Sequence, residues 1–461
     1  MYKGKNIVII LFVIIVTGGA ACKKWVDVDA PLQVNEKTVF NNEQGFRDVL
    51  NGVYLKMGDS TLYGRALSYG LVSLLGRSYD TIPATAKNLF TQGVQYNFQD
   101  PEVKAVMANI WKGMYQCIAN LNYALSNAES KREVFSSESS YNAIKGEALG
   151  LRAFLYFDLV RLFAPAPVVD ANSATIPYIT QLSHYGSEAL PTSAVIDSCI
   201  DNLNTALTLL PVGDVTGSSL TNYGVQGLLA RIYLYKGDLV NARTYAMQLI
   251  NSKAIPLYIT NPTLSTSGDF IFQKEQLFSL NANQNLLRSY LKYMLGGTSP
   301  IGLNPASQTA LFVTGGGSAN DWRKTFVDSV GGTKGSLKIP TKLTGNTQYY
   351  NNFHVLPLIR ITEMYYIAAE CANTSQDSAT TIALMDTVRR HRGLLNYTIT
   401  PTSGVTRDSL SKEIAKEYQK EFLGEGQAFY YFKRKNTPFN KLPYPKLPVV
   451  PGASYVFIKP E

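Results

Sequence analysis

The sequence predicts a mainly α-helical protein, a superhelix of stacked helices that carries a loop-rich α+β insert lobe. Three observations support this fold class. Residues 144–169 are apolar on nearly every side of a helix, residues 225–251 have the pattern of a tight helical hairpin, and residues 252–357 change to a Gly-, Ser-, Thr- and Asn-rich composition. A helix that is apolar all round must be covered by other helices, so the rest of the chain is expected to provide them.

The N-terminal segment is a targeting sequence and is excluded from the fold. Residues 1–21 place two lysines before a run of ten apolar residues, which is too short to span a bilayer. Small residues then lead to Cys22, and this arrangement resembles the lipobox of bacterial lipoproteins, in which the cysteine is lipidated. An ordinary secretory signal, cleaved near Ala20 or Ala21, is the alternative interpretation.

A single domain is expected to follow this leader. A polar tether at residues 22–40 would connect the membrane to a folded body at residues 41–461. Within the body we predict a helical scaffold and two loop-rich, ligand-binding regions. The scaffold segments are 41–57, 102–251 and 358–435, and the loop-rich regions are 58–100 and 252–357.

The charge balance argues against nucleic-acid binding. The whole chain has a formal net charge of +9, which falls to +7 when residues 1–21, with two lysines and no acid, are removed. The basic residues are scattered rather than collected in a run, so they are interpreted as solvated helix faces. The surplus mildly favours an acidic or neutral ligand over a basic one.

Helical periodicity predicts the order of the scaffold. Either Asn41 or Asn42 can cap a helix over residues 43–57, and apolar residues recur at helical spacing over residues 102–128. A further helix is expected over residues 192–210.

The most apolar helix lies between these segments. It follows a Ser-rich link at residues 129–140, and it ends before Pro165 and Pro167 because proline cannot donate to a helix ladder. Its buried character predicts a structural role in the centre of the scaffold rather than contact with a ligand.

Two helical hairpins define the type of superhelix. In residues 225–251 small residues permit close approach of two helices, and Gly237-Asp238 makes the tight turn of a tetratricopeptide hairpin. A second copy of this pattern occupies residues 358–393, with its second helix expected over residues 378–391. Hairpins in series stack into a superhelix, so the scaffold is predicted to be tetratricopeptide-like.

The insert and the C-terminal part complete the prediction. A structureless insert of a hundred residues is improbable in a compact protein, so the insert is expected to fold. Runs such as residues 269–272 and 276–280 are interpreted as short strands, loops or short helices. Residues 407–434 are helical again, split at Gly424 and Gly426, and a proline-rich tail is expected to be extended.

The remaining cysteines do not indicate a disulfide framework. Cys117, Cys199 and Cys371 lie in helical, largely apolar surroundings, their number is odd and their spacings are long. We expect them to be buried as small hydrophobic residues.

Catalytic and cofactor motifs are absent from the sequence. No HExxH, CxxC, GxSxG, Walker A or GxGxxG pattern occurs, and the three histidines are scattered, so neither a cofactor nor a metal site is predicted. A carboxylate pair for glycoside hydrolysis can be chosen almost at will from 34 acids, so a hydrolase stays open only as an alternative.

Short motifs follow one another in a fixed order along almost the whole mature chain. They are CKKW at 22–25, IWKGMYQCIANLNYAL at 110–125, LRAFLYFDLVRLFAPAPVV at 151–169, LLARIYLYKGD at 228–238, NDWRKTF at 320–326, LIRITEMYYIAAECA at 358–372, VRRHRGL at 388–394, EYQKEFLGEGQAFYYFKR at 417–434 and LPYPKLPVVP at 442–451. In this order and spacing they resemble the SusD/RagB family of Bacteroidetes outer-membrane lipoproteins.

The resemblance implies both a location and a partner. Family members are lipid-anchored, face the cell exterior on a tetratricopeptide-like scaffold and sit as a lid on a SusC-like TonB-dependent transporter. They capture nutrients, mostly oligosaccharides and in some cases peptides, and are not enzymes. The segment before NDWRKTF lacks an aromatic cluster, at residues 314–319, so no particular sugar specificity is carried over.

Tyrosine is abundant, and its composition predicts where a sugar would bind. The chain has 29 tyrosines. A tyrosine ring offers an apolar face to the C–H face of a sugar, while Asn, Gln, Asp and Arg fix its hydroxyls. The two loop-rich regions have this composition, whereas Trp111 and Trp322 are expected to be core residues. The candidate ligand-binding residues are Arg77, Tyr79, Asp80, Tyr96, Asn97 and Phe98 in the first region and Asn285, Tyr290, Tyr293, Tyr349 and Tyr350 in the second.

Three classes of function therefore remain to be distinguished. The first is a lipoprotein that binds oligosaccharides, or peptides as in RagB, for a transporter. It predicts binding without turnover, lost when Tyr79 or Tyr96 is replaced by Ala in a protein that still folds. The second is a glycoside hydrolase, and the third is a helical adaptor that binds only proteins.

Overall fold

Helices make up most of the protein in the computed structural model. The model describes residues 36–82, 86–181, 188–213, 219–258, 269–281, 301–312, 321–329, 338–340, 342, 355–394 and 405–460. The helices are α1 (Glu36–Val39), α2 (Glu43–Met57), α3 (Leu71–Leu75), α4 (Asn88–Val94), α5 (Pro101–Ser130), α6 (Glu138–Phe163), α7 (Thr192–Leu209), α8 (Asn222–Lys236), α9 (Leu239–Ser252), α10 (Pro305–Phe312), α11 (Ile361–Thr374), α12 (Ser378–Arg390), α13 (Arg407–Glu421) and α14 (Gln427–Arg434). The strands are β1 (Ala174–Pro177), β2 (Ala189–Pro191), β3 (Gln276–Asn281), β4 (Val327–Ser329), β5 (Lys338–Pro340) and β6 (Val355–Arg360).

The first scaffold helices begin where the sequence places capping residues. Asn42 caps α2 by accepting a hydrogen bond from the Gly45 amide at 3.0 Å, which decides between the two predicted asparagines. Asp100 caps α5, and Pro101 occupies its first turn, where the missing amide proton costs nothing. Trp111 of α5 is half-buried. The predicted α2 and α5 are confirmed.

The apolar helix α6 lies in the centre of the scaffold, as predicted. From residue 144 onward nearly all of its side chains are buried, and it packs against α5 and α7. Two of its charged residues are paired inside the protein: Asp158 binds Arg161 and accepts a hydrogen bond from the Tyr63 hydroxyl at 2.7 Å. The helix starts at Glu138, earlier than expected, because Ser137 caps it.

Both predicted hairpins are present. Gly237 joins α8 to α9 with a φ of +93°, a left-handed conformation that strongly favours glycine. The second hairpin consists of α11 and α12, and α11 also packs against α9, so the two hairpins stack as in a superhelix. Arg231 of α8 binds Glu363 of α11 at 2.5 Å between buried side chains, which joins the two hairpins.

The strands form three two-stranded antiparallel ladders. β1 pairs with β2, β3 with β6 and β4 with β5. The strand interpretation of residues 276–280 is confirmed as β3, which brings Leu280 opposite Leu356. Of the alternatives open for residues 269–272, the structure has a loop. The Asp269 carboxylate there accepts the Gln273 amide at 3.0 Å and holds a turn instead of a ladder.

The insert has a small apolar core of its own. This core is separate from the main hydrophobic core and includes Leu423 from the scaffold. Half-buried Tyr444 of the C-terminal tail packs against it. The other members are Phe270, Phe272, Leu303, Leu311, Phe312, Phe326 and Val327.

A layer of buried ion pairs fixes the insert to the scaffold. Arg323, in the NDWRKTF motif, binds Glu417 of α13 at 2.6 Å. Arg392 binds Glu275 at 2.6 Å, and Arg360 binds Glu421 at 2.6 Å. The side chains of all six residues have no exposed surface. Charges buried in this way are stable only when each is paired, so the layer holds α13 in one position against the insert.

The cysteines occupy the positions that the sequence predicts. Cys117, Cys199 and Cys371 are unpaired and buried in helices. Burial raises the pKa of the Cys117 and Cys371 thiols to about 12.

Among the helices of the described ranges, none combines the length and the apolar character that a membrane crossing requires.

Candidate functional site

The two loop-rich regions meet around one carboxylate. Asp80 accepts hydrogen bonds from the Asn304 amide at 2.8 Å, from the Asn304 side chain and from the Ser307 hydroxyl at 2.5 Å. Next to it the Thr81 amide donates to the Gly302 carbonyl at 3.0 Å, and the Gly302 amide returns a bond of 3.1 Å. We call these five residues the Asp80 clamp. The sequence places its two halves more than 200 residues apart.

Asp80 itself is half-buried, and its carboxylate is occupied. Each of its two oxygens accepts hydrogen bonds from the protein, including the Thr81 hydroxyl at 3.0 Å. A carboxylate that is engaged in this way holds two segments together. Its predicted direct contact with a ligand remains a proposal.

Four other candidates of the first region lie in the protein interior. Tyr79 and Tyr96 are each 1% exposed, and their hydroxyls donate to the carbonyls of Tyr69 at 2.8 Å and Leu75 at 2.5 Å. Phe98 is buried beside Tyr96. This corrects the expectation that these rings lie on a surface, because a ring without exposed area offers no face to a dissolved sugar.

Arg77 is also buried, at 2% exposure, which corrects the same expectation for its side chain. Its guanidinium lies 5.7 Å from the centre of the Tyr96 ring. Two of its nitrogens have no hydrogen-bond partner among the described residues, and burial lowers its pKa. The side chain is therefore held mainly by its contact with aromatic rings.

The remaining candidates divide into one described residue and several that are not described. Asn97 is half-buried and donates to the Gln92 side chain at 2.7 Å. The lipidation candidate Cys22 lies outside the described residues. So do the candidates of the second region, which are Asn285, Tyr290, Tyr293, Tyr349 and Tyr350.

A groove of about 340 Å³ lies beside the clamp, where α10, α13 and the C-terminal tail meet. Leu311, Phe432 and Leu442 form an apolar floor, half-buried Tyr444 lines one side, and Ser307 of the clamp lines it as well. The rim is polar and basic, with Lys412, Lys416, Gln419 and Lys441. We call this surface the lysine groove.

Tyr444 is the aromatic residue that the sequence analysis missed. It lies between Pro443 and Pro445 and has a φ of +54°, so the tail turns sharply at this ring. Burial raises the pKa of its hydroxyl, and the Asp80 carboxylate raises it further. Tyr444 lines the same groove as Ser307, which places the tail next to the clamp. An aromatic residue fixed between two prolines is a signal that was visible in the LPYPKLPVVP motif.

A larger cleft of about 710 Å³ lies between α5, α6 and the segment after β1. Buried Arg152 donates there to the side chains of Asn122 at 2.9 Å and Asn202 at 2.6 Å. At the rim Lys145 forms an ion pair with Glu129. The polar side chains of this cleft are thus largely engaged with one another.

Within the described ranges, no three His, Cys, Asp or Glu side chains are grouped so that they could hold a metal ion. His391 is the one histidine in these ranges, and its ring contacts the Thr387 carbonyl of its own helix at 2.7 Å. The lysine groove offers a ligand contact with an aromatic ring, hydrogen bonds and positive charge.

Comparison with known proteins assigns the family. Residues 24–234 match the SusD-like model described as starch-binding associating with outer membrane, and residues 329–446 match the model described as SusD family. The SusD-like protein P2 of Formosa agariphila is 23% identical over 439 residues, which cover 86% of this chain and 85% of that protein.

Solved structures show the same fold. A SusD-like carbohydrate binding protein from Bacteroides vulgatus superposes with a TM-score of 0.69 at 22% identity, covering 86% of this chain and 83% of the other. A SusD superfamily protein from the same organism gives a TM-score of 0.70 at 20% identity, covering 86% and 88%. The two family-model matches, over residues 24–234 and 329–446, show that the chain belongs to the SusD/RagB family.

Proposed function

We propose that this protein is a cell-surface lipoprotein that captures oligosaccharides and passes them to a SusC-like TonB-dependent transporter without catalysing a reaction. The description of the matching family model, starch-binding associating with outer membrane, supports the ligand class and the location. Lipidation of Cys22 would supply the anchor, because several acyl chains on one residue hold a protein stably on a membrane.

The observation that carries the proposal is the lysine groove beside the Asp80 clamp. A sugar needs an apolar surface for its C–H face and polar groups around it for its hydroxyls. The groove combines the Tyr444 ring and an apolar floor with Ser307, Gln419 and lysine side chains on its rim. Its volume of about 340 Å³ is at the lower end of the range of small-molecule sites.

The expected contribution of the Tyr444 ring can be estimated. Covering about 50 Å² of sugar C–H surface at ~25 cal/mol per Å² stabilises the complex by about 1.3 kcal/mol, which corresponds to about tenfold in Kd. Tyr444→Ala should therefore weaken oligosaccharide binding about tenfold, whereas Tyr444→Phe, which keeps the ring, should stay within about threefold.

The experiment uses residues 23–461, which include every described residue, on a glycan array and in calorimetry with the oligosaccharides that bind. Thermal unfolding of both variants controls for loss of the fold. Unchanged affinity of Tyr444→Ala would exclude this groove as the site. Chromatography of the recovered ligand distinguishes capture from hydrolysis, because shortened oligosaccharides would indicate a hydrolase.

Two further outcomes discriminate the remaining classes. Binding to a peptide pool and to no oligosaccharide would favour a RagB-like peptide carrier. Binding to neither, with retention of a partner protein on the immobilised chain, would favour the helical adaptor.

A further inference from the structure

The rim of the lysine groove carries more positive than negative charge. Lys412, Lys416 and Lys441 line it, and the described residues of its lining include no Asp or Glu. Lys412 and Lys441 are exposed, and Lys416 is half-buried. Three cations around one small concave surface raise the local concentration of anions.

The acids around the groove are already engaged, Asp408 and Glu413 of α13 in ion pairs and Asp80 in the hydrogen bonds of the clamp. Asp408 pairs with Lys412 at 2.7 Å, with both side chains largely exposed, and it also lies within electrostatic range of Lys441. Glu413 binds Arg389 at 2.7 Å. The exposed Asp408–Lys412 pair is weak and screened by water and salt, so it neutralises the positive charge of the groove only in part.

Lys416 shows what the surroundings do to one of these charges. Burial lowers the pKa of Lys416, and the neighbouring Lys420 ammonium lowers it further, while Glu413 and Glu417 act in the opposite direction. Lys420 points to the interior, where it binds Asp321 at 3.2 Å and Glu417 at 3.5 Å. An anion in the groove would favour the charged form of Lys416.

We propose that the lysine groove selects acidic oligosaccharides, with the carboxylate of a uronic acid or a sulfate ester bound between Lys412, Lys416 and Lys441 and a sugar ring against Tyr444. This inference rests on the proposed function, since it names the ligand class of the same groove. The charges supply the selectivity, and the ring and the apolar floor supply an attraction that neutral and acidic sugars share.

The shape of the groove favours a sugar over a protein surface. Stable protein interfaces bury about 800 Å² on each partner and are mostly flat. The groove is a concave site of about 340 Å³ with an aromatic side and an apolar floor, which suits one or two sugar rings. An acidic segment of a partner protein is the competing occupant and forms one arm of the test.

The test compares acidic and neutral oligosaccharides on residues 23–461. The array holds oligogalacturonates, alginate and chondroitin sulfate fragments, and also methyl-esterified oligogalacturonates and neutral malto- and galacto-oligosaccharides. The best acidic binder is then measured with K412Q/K416Q/K441Q. Each exposed charge pair contributes up to about fivefold, so the triple variant should lose tenfold or more in affinity for it. Raising NaCl from 50 to 500 mM should lower the affinity of the parent chain for this ligand by a similar factor, and the affinity of the triple variant much less.

A matched control removes three lysines elsewhere. K104Q/K112Q/K253Q lowers the net charge by the same amount at exposed positions outside the groove lining, and it should bind acidic oligosaccharides within about twofold of the parent chain. Both variants keep the buried core, so unfolding midpoints near that of the parent are expected.

Each other result overturns the inference in a distinguishable way. If neutral and acidic oligosaccharides bind equally well, and K412Q/K416Q/K441Q binds them with the affinity of the parent chain, the proposed function would stand and the selectivity for acidic ligands would be excluded. Equal loss in the groove and control variants would show a general charge effect. Poly-L-glutamate bound as tightly as the acidic oligosaccharides would favour a protein partner. Absence of binding to every oligosaccharide would remove the proposed function as well.

Discussion

At the scale of single residues, the aromatic side chains of the first loop-rich region are buried. The hydroxyls of Tyr79 and Tyr96 donate to backbone carbonyls inside the protein, and the Tyr96 ring contacts Phe439 and Tyr455 from the C-terminal part. Composition shows that this region is rich in tyrosine, but it does not distinguish a ring on the surface from a ring in the core. That distinction depends on which distant segment covers the ring.

This placement makes a prediction for Tyr79. Tyr79→Phe removes the donor to the buried Tyr69 carbonyl and should lower the free energy of unfolding by about 1 kcal/mol. Its affinity for oligosaccharides should stay unchanged, because the ring has no exposed face. Denaturant unfolding and calorimetry measure the two quantities.

The control is Tyr233→Phe, at a half-buried residue whose hydroxyl makes no hydrogen bond to a described residue. Its stability should change by less than about 0.5 kcal/mol. Loss of binding by Tyr79→Phe at unchanged stability would return Tyr79 to the list of ligand contacts.

At the scale of elements, the helices follow local signals closely. Each signal acts on the backbone within one helical turn of its own position. The signals are the caps at Asn42 and Asp100, the prolines after α6 and the glycine between α8 and α9. Helix α6 begins at Glu138, earlier than the sequence predicts, although its first turn is serine-rich. The Ser137 cap shows that serine at a helix start favours the helix.

The hairpin turn provides a direct test of this local control. Gly237 has a φ of +93° with open space around an added Cβ, so Gly237→Ala suffers backbone strain without a steric clash. We expect a loss of about 1–2 kcal/mol in the free energy of unfolding.

A Gly→Ala substitution within a helix is expected to raise the free energy of unfolding. Gly52 occupies an exposed position of α2, also with open space around an added Cβ. Gly52→Ala should therefore raise the free energy of unfolding by about 0.5–1 kcal/mol through helix propensity. Urea unfolding of both variants measures the pair. A stabilising Gly237→Ala would contradict the left-handed turn.

At the scale of the whole molecule, buried ion pairs join parts of the chain that are distant in sequence. Glu370 of α11 binds Arg434 at the end of α14 at 2.7 Å, in addition to the layer between the insert and α13. Burial opposes the charge on Glu370, but Arg434 and Lys435 outweigh it and lower its pKa to about 2. Burial likewise opposes the charge on Glu421, and Arg392 and Arg360 hold its pKa well below the usual range.

These shifts predict acid sensitivity. A carboxylate whose pKa is lower in the folded than in the unfolded state stabilises the fold fully above the unfolded value of 4.5, and this contribution is lost as the pH falls towards the folded value of about 2. For Glu370 the loss amounts to about 3 kcal/mol, and Glu417 and Glu421 act in the same direction. The free energy of unfolding should therefore fall steeply between about pH 4.5 and pH 2.

Unfolding titrations from pH 7 to pH 2 measure this slope. Glu370→Gln should be less stable than the parent chain at pH 7 and should show a shallower decline in acid. Parallel curves for the two proteins would mean that Glu370 does not titrate with the folding equilibrium.

Periodicity, caps and turns are local and suffice to predict the helical elements and the stacked hairpins, and an ordered set of motifs predicts the family. Which aromatic residues are exposed depends on tertiary contacts. The fold buries Tyr79 and Tyr96, brings Tyr444 and Ser307 of the Asp80 clamp into the lining of one groove, and gathers three lysines from α13 and the tail around it. Burial and electrostatic surroundings are set by contacts between segments hundreds of residues apart, and no local pattern encodes them.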